Sequence, residues 1–262
     1  HYNLGITLQG LGQLDEALAS YERAIDLKPD INFILGVLLH TKMHLCIWDD
    51  LDNHLNELTN KINNSDKVIM PFALIALIDD PEIQKKTAEI YVNEKHPQSH
   101  VLSKLERYPK HTKIRIGYFS ADFRDHPVAH LTAELYETHD RNQFEIYAFS
   151  FGLDTKDEMN LRIKAGVDHF HDVHTMSHKD VAMLARSVEL DIAVDLGGHT
   201  QNSRTEIFAM SAAPIQISWI GWPGTMGANY YDYLVVDKTI IPEKNQKYYS
   251  EKIVYLPNFQ IN

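Results

Sequence analysis

From Lys113 onward the sequence alternates short β-branched or aromatic runs with helical stretches, and this alternation limits the possible folds more than any other feature. The runs have the composition of strands buried on both faces. The predicted strands are Ile114 to Ser120, Phe144 to Phe149, a short one around Phe170, Ile192 to Leu196, Ile215 to Ile220 and Tyr233 to Val236. The predicted helices are Pro127 to Glu137, Asp157 to Lys164, Lys179 to Val188 and one that starts near Arg204. Strands and helices that alternate at this spacing indicate a doubly wound α/β domain with a parallel sheet.

The N-terminal stretch has a different pattern, which is typical of paired helices. Small or apolar residues recur at Leu4, Gly5, Leu8, Gly12, Ala17, Tyr21 and Ala24, and Pro29 closes the unit. This spacing matches one tetratricopeptide repeat. Gly5 and Ala17 would let the two helices approach closely, and Tyr21 would fill the space beside them. Because one repeat cannot bury its own faces, we expect further repeats before His1.

Three segments are predicted. Residues 1–62 contain the repeat and a degenerate terminal repeat, in which Ile31 to Leu58 is helical. Residues 63–112 form a helical connector with helices at Pro71 to Leu77 and Pro81 to Glu94, and residues 113–262 form the α/β domain. The chain begins with a histidine inside a helical pattern and lacks a secretory leader, so we expect it to be an internal piece of a longer protein.

Composition excludes several classes of function. The 36 acidic residues outnumber the 25 Lys and Arg and give a net charge of −11, which argues against a nucleic-acid partner. The sequence has no apolar run long enough for a membrane span, so no membrane partner is expected. The single Cys46 rules out an internal disulfide or a thiolate zinc site and favours a reducing, cytoplasmic location.

Three loops that follow predicted strands concentrate polar or glycine residues. They are residues 120–127 (SADFRDHP), 195–200 (DLGGHT) and 221–227 (GWPGTMG). In doubly wound sheets, ligands bind beyond the carboxyl ends of the strands. We therefore expect these loops to converge on one edge of the sheet and to form the functional site there.

These segments resemble the protein O-GlcNAc transferase family. The Ser-x-Asp-Phe-x-x-His-Pro segment and the Gly-Trp-Pro-Gly-Thr-x-Gly segment match motifs of that family, and the segments RTEIFA, APIQ and YSEK follow in the family's order. The resemblance covers nearly the whole chain. It implies tetratricopeptide-like helical repeats followed by a Rossmann-like doubly wound lobe of a GT-B glycosyltransferase. The family's uridine and diphosphate contacts would lie in a second lobe beyond Asn262, so we expect this chain by itself to be inactive or nearly so.

The family's reaction transfers N-acetylglucosamine from UDP-GlcNAc to Ser or Thr hydroxyls of proteins by inverting displacement, with no metal cofactor. By position, His126 and Asp122 match the catalytic pair. The substrate-binding positions that the resemblance implies are Pro127, Val128, His199, Thr200, Gln201, Ile220, Gly221 and, by a loose alignment, His96. His199 and Gln201 stand where animal members carry Tyr and Lys, and Val128 stands where they carry Thr. The expected partners are protein acceptors held by the repeats and the nucleotide sugar.

Plainer interpretations stay open for several residues. His126 could cap the following helix, and Asp122 could form only a turn. Trp222 is predicted to be a core residue. The histidines around His169 to His178 could suggest a metal site, but this cluster has no cysteine and no supporting carboxylate pattern, which favours a solvated polar loop. Two functional alternatives also remain, a protein O-fucosyltransferase that uses GDP-fucose and a non-catalytic repeat scaffold.

Overall fold

A computed structural model of the chain describes residues 1–106 and 108–258. The chain forms two compact units, one from His1 to Lys95 and the other from His96 onward. This boundary falls inside the predicted connector, so residues 63–95 belong to the first unit and residues 96–112 to the second. Arg107 of the predicted connector and residues 259–262 of the predicted third segment lie outside the described residues.

The first unit consists of helices. Their bounds are α1 Tyr2–Gly10, α2 Leu14–Leu27, α3 Ile34–His44, α4 Leu51–Asn63, α5 Pro71–Leu74 and α6 Pro81–Lys95. The close approach predicted for α1 and α2 is confirmed, since a Cβ on Gly5 would lie 2.4 Å from the Tyr21 ring. Tyr21 is fully buried, and its hydroxyl donates to Gln9 at 2.8 Å. This helical pair is the predicted repeat.

Two helices of this unit differ from their predicted bounds. The stretch predicted as helical from Ile31 to Leu58 is two helices, and the turn between them contains two residues with positive φ, Cys46 at 56° and Asp50 at 57°. The helix predicted to end at Leu77 ends at Leu74. A proline disfavours helical geometry in the residue before it. Here Pro81 begins α6, and the Asp80 carboxylate accepts the Glu82 amide at 2.9 Å at the start of that helix. The chain therefore turns before α6 instead of continuing α5.

The second unit is built on a parallel sheet of seven strands in the order β3-β2-β1-β4-β5-β6-β7. The strands are β1 Ile114–Ser120, β2 Phe144–Ser150, β3 His169–Asp172, β4 Ile192–Asp195, β5 Ile215–Trp219, β6 Tyr233–Val236 and β7 Lys252–Tyr255. The six predicted strands are present. β7 and the preceding 3₁₀ helix, Glu243–Tyr248, were not predicted. In this edge strand Lys252 and Val254 are exposed and the residues between and after them are only half-buried, unlike the fully buried strands at the centre of the sheet.

Helices connect most of the strands and cover the sheet. They are α7 Pro127–Thr138, α8 Glu158–Gly166, α9 His178–Ser187 and α10 Glu206–Ala209. α7 contacts α8, and α9 contacts α10. The chain winds outward from β1 through β2 to β3 and then returns to β4 on the other side of β1, so the strand order reverses between β1 and β4. Such a reversal is where doubly wound sheets bind ligands.

Core packing and one irregular connection place the loops at this edge. Side chains of α7 and α8, among them Tyr136 and Ile163, form one buried cluster with β1, β2 and β4. Residues 220–232, all of which the structure describes, join β5 to β6 as a loop instead of the helix typical of this fold.

Within the described residues, no helix combines the length and the apolar character needed to cross a bilayer.

Candidate functional site

The loops that follow β1, β4 and β5 meet at one edge of the sheet, as predicted. β4 pairs with β1 on one side and with β5 on the other. The Leu196 amide continues the pairing by donating to the Phe119 carbonyl at 3.1 Å. The backbone of Gly221 is packed so tightly on the β4 loop that a Cβ there would lie 1.9 Å from the Leu196 carbonyl oxygen. Only glycine fits that contact, which explains its presence in the GWPGT segment.

Asp122 is held in the loop after β1. Its backbone amide donates to the Ser120 hydroxyl at 2.9 Å, and its Oδ1 accepts from the Arg124 guanidinium at 3.0 Å. The Asp122 side chain is 17% exposed. The carboxylate is therefore oriented by a cation and still reaches solvent at this edge.

His126 caps α7 and also stays accessible. Its Nδ1 accepts the Val128 amide at 3.2 Å and lies 3.8 Å from Asp122 Oδ2, and its side chain is 33% exposed. A nitrogen that accepts an N–H carries a lone pair, so in the neutral ring the proton sits on Nε2. The capping interpretation is thus confirmed, and the ring offers an Nε2–H donor rather than a basic nitrogen on its free side.

The apolar residues predicted for the sugar pocket, Val128 and Ile220, lie next to the loops that follow β1 and β5. Val128 and Ile220 pack against the same buried cluster, which includes Leu196. Ile220 has a positive φ of 64°, an unusual conformation for a β-branched residue, and it turns the chain out of β5. Pro127 is exposed at the first position of α7.

The loop after β4 is organised by a buried carboxylate. Asp195 Oδ1 accepts the amides of Gly197 at 2.9 Å and Gly198 at 3.1 Å, and its Oδ2 accepts the Tyr231 hydroxyl at 2.5 Å. Burial raises the pKa of Asp195, and these hydrogen bonds oppose that shift. Gly198 has φ of 60°, and a Cβ there would lie 2.3 Å from Trp222 Cβ. Asp195 and Gly198 therefore lock the β4 loop against the β5 loop.

His199 is placed by this turn but is largely covered. It is 8% exposed, and its Nε2 lies 2.9 Å from the Met226 carbonyl oxygen. Burial lowers the pKa of His199 to about 4, so the ring is neutral near pH 7. Trp222, which contacts it edge to face, is 2% exposed and is a core residue as predicted.

The remaining predicted residues of this loop differ in their surroundings. The Thr200 hydroxyl donates to the Gly197 carbonyl at 2.8 Å and closes the glycine turn, so its described bond is structural. Gln201 is exposed at the tip of the loop. Gln201 is therefore the more exposed of these two side chains.

His96 is anchored within the second unit. The Glu206 carboxylate lies 3.2 Å from His96 Nδ1 and 3.3 Å from His178 Nδ1, and the Tyr230 hydroxyl donates to the His96 carbonyl at 2.8 Å. The structure thus groups His96 with the β4 side of the edge and groups Asp122 with His126 on the β1 side.

An open cleft of about 610 Å³ lies at the same edge, on the β2 and β3 side. Its lining includes Phe151, His174, His178 and Arg204. The Arg204 guanidinium is held by the carbonyls of residues 173 and 176 at 3.1 and 2.7 Å. One wall of the cleft is therefore polar, with the Arg204 guanidinium held in place by two carbonyl oxygens.

The histidine-rich strand is used in packing and ion pairs. His169 stacks on Tyr147 at 4.4 Å and pairs with Glu145 at 2.9 Å. Among the residues that the structure describes, no group of three or more His, Cys, Asp or Glu could hold a metal ion. The one Asp-x-Asp spacing in the chain, Asp50 and Asp52, lies at the start of α4 in the helical unit.

Sequence reasoning missed the buried polar residues that support the loops, Asp195 with Tyr231 and Glu251 with Thr225. Glu251 is 5% exposed and accepts the Thr225 hydroxyl at 2.7 Å. Glu251 lies in the YSEK segment, which the resemblance flagged only by its order. Its contact with residue 225 joins two segments 26 residues apart, with β6 between them in the chain, and no local spacing reveals that.

Two family profiles match the chain. Glycosyl transferase family 41 matches residues 83–261, which is more than half of the chain, and the tetratricopeptide repeat profile matches residues 1–31. These two matches fall on the two kinds of structure described above.

Several known proteins are similar to this chain. An Arabidopsis thaliana protein named probable UDP-N-acetylglucosamine--peptide N-acetylglucosaminyltransferase SEC is 35% identical over 84% of this chain and 24% of its own length. The Caenorhabditis elegans UDP-N-acetylglucosamine--peptide N-acetylglucosaminyltransferase is 27% identical over 82% of this chain and 20% of its own length. Among solved structures, a Thermobaculum terrenum O-GlcNAc transferase variant matches with a TM-score of 0.72 and 26% identity, over 100% of this chain and 44% of that one.

This chain spans about a quarter or less of the length of these two curated relatives. The match to the family profile nevertheless covers the whole sheet and the three loops at its edge. Fold, motifs and profile agree on one assignment. The chain belongs to glycosyl transferase family 41, with a tetratricopeptide repeat at its N-terminal end.

Proposed function

We propose that the protein which contains this chain transfers N-acetylglucosamine from UDP-GlcNAc to Ser or Thr hydroxyls of proteins. The observation that carries the proposal is the convergence of the β1, β4 and β5 loops, with Asp122 and His126 partly exposed beside each other. Family membership and the printed names of the relatives support the same donor and acceptor class. These names do not favour the fucosyltransferase alternative.

In this reaction the acceptor oxygen attacks the anomeric carbon as the bond to the diphosphate breaks, and UDP leaves with the electron pair. We assign the acceptor's proton to Asp122, directly or through one water molecule, because its carboxylate is the acceptor group of the pair. His126 would donate from Nε2–H to an oxygen of the donor or the acceptor, since its Nδ1 is occupied by the Val128 amide. The two residues then have complementary roles.

We further propose that the reaction needs no metal cofactor. The diphosphate charge would be met by helix N-termini and cationic side chains, some of them outside this chain. Val128, Ile220 and Gly221 would line the apolar side of the sugar, and His199, Thr200, Gln201 and His96 would contribute from the β4 side. A chelator should leave turnover unchanged in a transfer assay, and loss of activity that returns on adding a divalent cation would contradict this part.

Acceptor proteins would be held by the tetratricopeptide repeats, whose paired helices form extended surfaces for polypeptides. We propose a cytoplasmic location because the chain has one cysteine and no means of forming an internal disulfide.

The donor is tested with the complete protein that the native reading frame encodes. UDP-GlcNAc and GDP-fucose are supplied separately with a mixture of Ser- and Thr-containing peptides, and products are measured by mass spectrometry. Transfer from UDP-GlcNAc is expected. Transfer from GDP-fucose alone would replace the donor assignment, and a protein that transfers from neither donor would support a scaffold role.

The role of His126 is tested by His126→Ala in the same protein. Turnover should fall by about 10²-fold or more, the usual effect of removing a positioned proton donor or acceptor. Loss of the cap should also lower stability by about 1 kcal/mol, measured by denaturant unfolding. His130→Ala is the matched control, because His130 lies on the same helix, is 55% exposed and pairs only with Asp125. Equal turnover in both variants would remove His126 from the mechanism.

A further inference from the structure

A buried carboxylate behind the GWPGT loop has no role in the reaction as proposed above. Glu251 is 5% exposed, just before β7, and both of its oxygens are directed at the loop. Oε1 accepts the Met226 amide at 2.5 Å, and Oε2 accepts the Thr225 hydroxyl at 2.7 Å. Burying a carboxylate is costly unless it is hydrogen-bonded, so this site is built around that group.

Thr225 ties the same carboxylate to the rest of the loop. Its Oγ1 donates to Glu251 and accepts the amides of Gly227 and Ser250, each at 3.1 Å. Thr225 is 5% exposed, so water does not replace these bonds. The loop conformation at residues 225–227 is thus set from behind by Glu251.

Met226 connects this carboxylate to His199. Its amide donates to Glu251, and its carbonyl oxygen lies 2.9 Å from His199 Nε2. A carbonyl oxygen only accepts hydrogen bonds, so His199 must carry its proton on Nε2, and Nδ1 is the ring's acceptor nitrogen. The Met226 carbonyl therefore determines the tautomer of the His199 ring, and together with the edge-to-face contact of Trp222 it holds the ring in place.

We propose that Glu251 is a positioning residue that fixes His199 through the backbone of Met226. In the β4 loop the Asp195 and Thr200 side chains bond to the backbone of Gly197 and Gly198, whereas His199 Nε2 bonds to the β5 loop at Met226. The contribution of His199 to donor binding rests on the proposed function. The control of its tautomer by Glu251 does not.

The first test uses the chain of 262 residues, labelled with ¹⁵N in its histidine rings, and His199→Asn assigns the His199 signals. The wild-type ring should show the neutral form protonated on Nε2. Glu251→Ala removes the group that holds Met226, so we expect the His199 signals to move toward a mixture of the two tautomers. Unchanged His199 ring signals in a folded Glu251→Ala protein would overturn the proposal.

Thr225→Val is the matched control, because it removes a hydroxyl from the same buried cluster but leaves the Met226–Glu251 bond. Both variants should lower stability, and only Glu251→Ala should alter the tautomer of His199. If Glu251→Ala does not fold, Glu251→Leu serves instead. Its side chain fills the same space but cannot accept the Met226 amide, so a mixture of the two His199 tautomers is again expected. An Nε2-protonated signature lost in Thr225→Val and kept in the Glu251 variants would contradict the proposal.

The second test measures transfer by the complete protein. Glu251→Ala should raise the KM for UDP-GlcNAc about tenfold, equivalent to losing about 1.4 kcal/mol of binding, with a smaller change in kcat. Thr225→Val should change KM less than Glu251→Ala does. An equal change in both variants would indicate a merely structural role for Glu251. If the protein transfers no sugar, the proposed function fails, while the ring measurements still decide the role of Glu251.

Discussion

At the scale of single residues, the chemistry of the candidate site depends on which nitrogen of each histidine is occupied. His126 Nδ1 accepts a backbone amide, and His199 Nε2 faces a carbonyl oxygen. In their neutral forms both rings therefore carry the proton on Nε2, although the backbone engages Nδ1 of His126 and Nε2 of His199, and neither assignment follows from residue type. From the sequence, capping of α7 was an alternative to a catalytic role for His126. The structure allows both roles, because the capping bond uses Nδ1 and the ring has a second nitrogen, Nε2.

The buried His199 should make the protein sensitive to acid. Its folded pKa of about 4 lies below the ordinary value of 6.5, so its contribution to stability is complete above pH 6.5 and is lost as the pH falls toward 4. Between pH 7 and pH 4.5 this loss is about 2–3 kcal/mol. Denaturant unfolding of wild type and His199→Asn at both pH values measures it.

The comparison with His199→Asn is necessary because two buried acids change the stability of the fold in the opposite direction as the pH falls. Burial raises the pKa of Asp195 and of Glu251, so their protonation favours the folded state as the pH falls. Both acids remain in the variant, and the difference between the two proteins isolates His199. An identical loss of stability in both proteins would show that the ring is not buried in its neutral form.

Gly221 in the β5 loop and Gly197 in the β4 loop should tolerate substitution by alanine very differently. A Cβ on Gly221 would meet the Leu196 carbonyl oxygen at 1.9 Å, whereas the nearest atom to a Cβ on Gly197 is 3.5 Å away. We expect Gly221→Ala to lower the free energy of unfolding by about 1–3 kcal/mol or more and Gly197→Ala to stay within about 0.5 kcal/mol of wild type. Urea unfolding followed by tryptophan fluorescence compares them, and similar midpoints would mean that the two loops are not packed backbone to backbone.

At the scale of elements, the connection from β5 to β6 is the unusual feature of this sheet. The loop of residues 220–232 lacks a helix, and two buried carboxylates hold it instead. Asp195, at the end of β4, binds the Tyr231 hydroxyl, and Glu251, before β7, binds residues 225 and 226. Strand and helix positions were predictable from local patterns, but these supports join segments that are far apart in the sequence.

Tyr231→Phe tests the first of these supports. The change removes the hydroxyl that donates to the fully buried Asp195 and should cost about 1–3 kcal/mol of stability, the usual penalty for leaving a buried polar group without its partner. Tyr249→Phe is the control, because its hydroxyl makes only a long 3.5 Å contact with the Pro223 carbonyl. If both variants unfold at the same urea concentration, the Asp195–Tyr231 bond does not support the loop.

At the scale of the whole molecule, the chain consists of two units that each have their own core. One set of buried clusters belongs to the helices of the first unit, and another belongs to the sheet and its helices. Ser99 and Ser103, in the segment predicted as part of a separate connector, are bonded to the sheet unit. The Ser99 amide donates to the Ala209 carbonyl at 2.8 Å, and Arg186 donates to the Ser103 carbonyl at 2.7 Å.

We therefore expect residues 96–262 to fold without the helical unit. A domain with its own core has a free energy of unfolding of about 5–15 kcal/mol. The backbone amide spectrum of the separate segment should retain the signals of Gly197 and Gly198 at their positions in the complete chain. A segment that starts at Lys113 should be less stable, because it lacks the residues that Ala209 and Arg186 hold. Equal stability of the two segments would contradict this division.

The sequence by itself determined the repeat, the first six strands and the loops that form the candidate site, because helical and strand periodicity and glycine-rich turns are local properties. Tertiary structure alone decided which nitrogens of His126 and His199 are engaged, that Asp195 and Glu251 support the loops, and that Ser99 and Ser103 are held by the sheet unit. The physical reason is that burial and hydrogen-bond partners are set by segments far apart in the chain, as when Glu251 binds Met226, 25 residues before it.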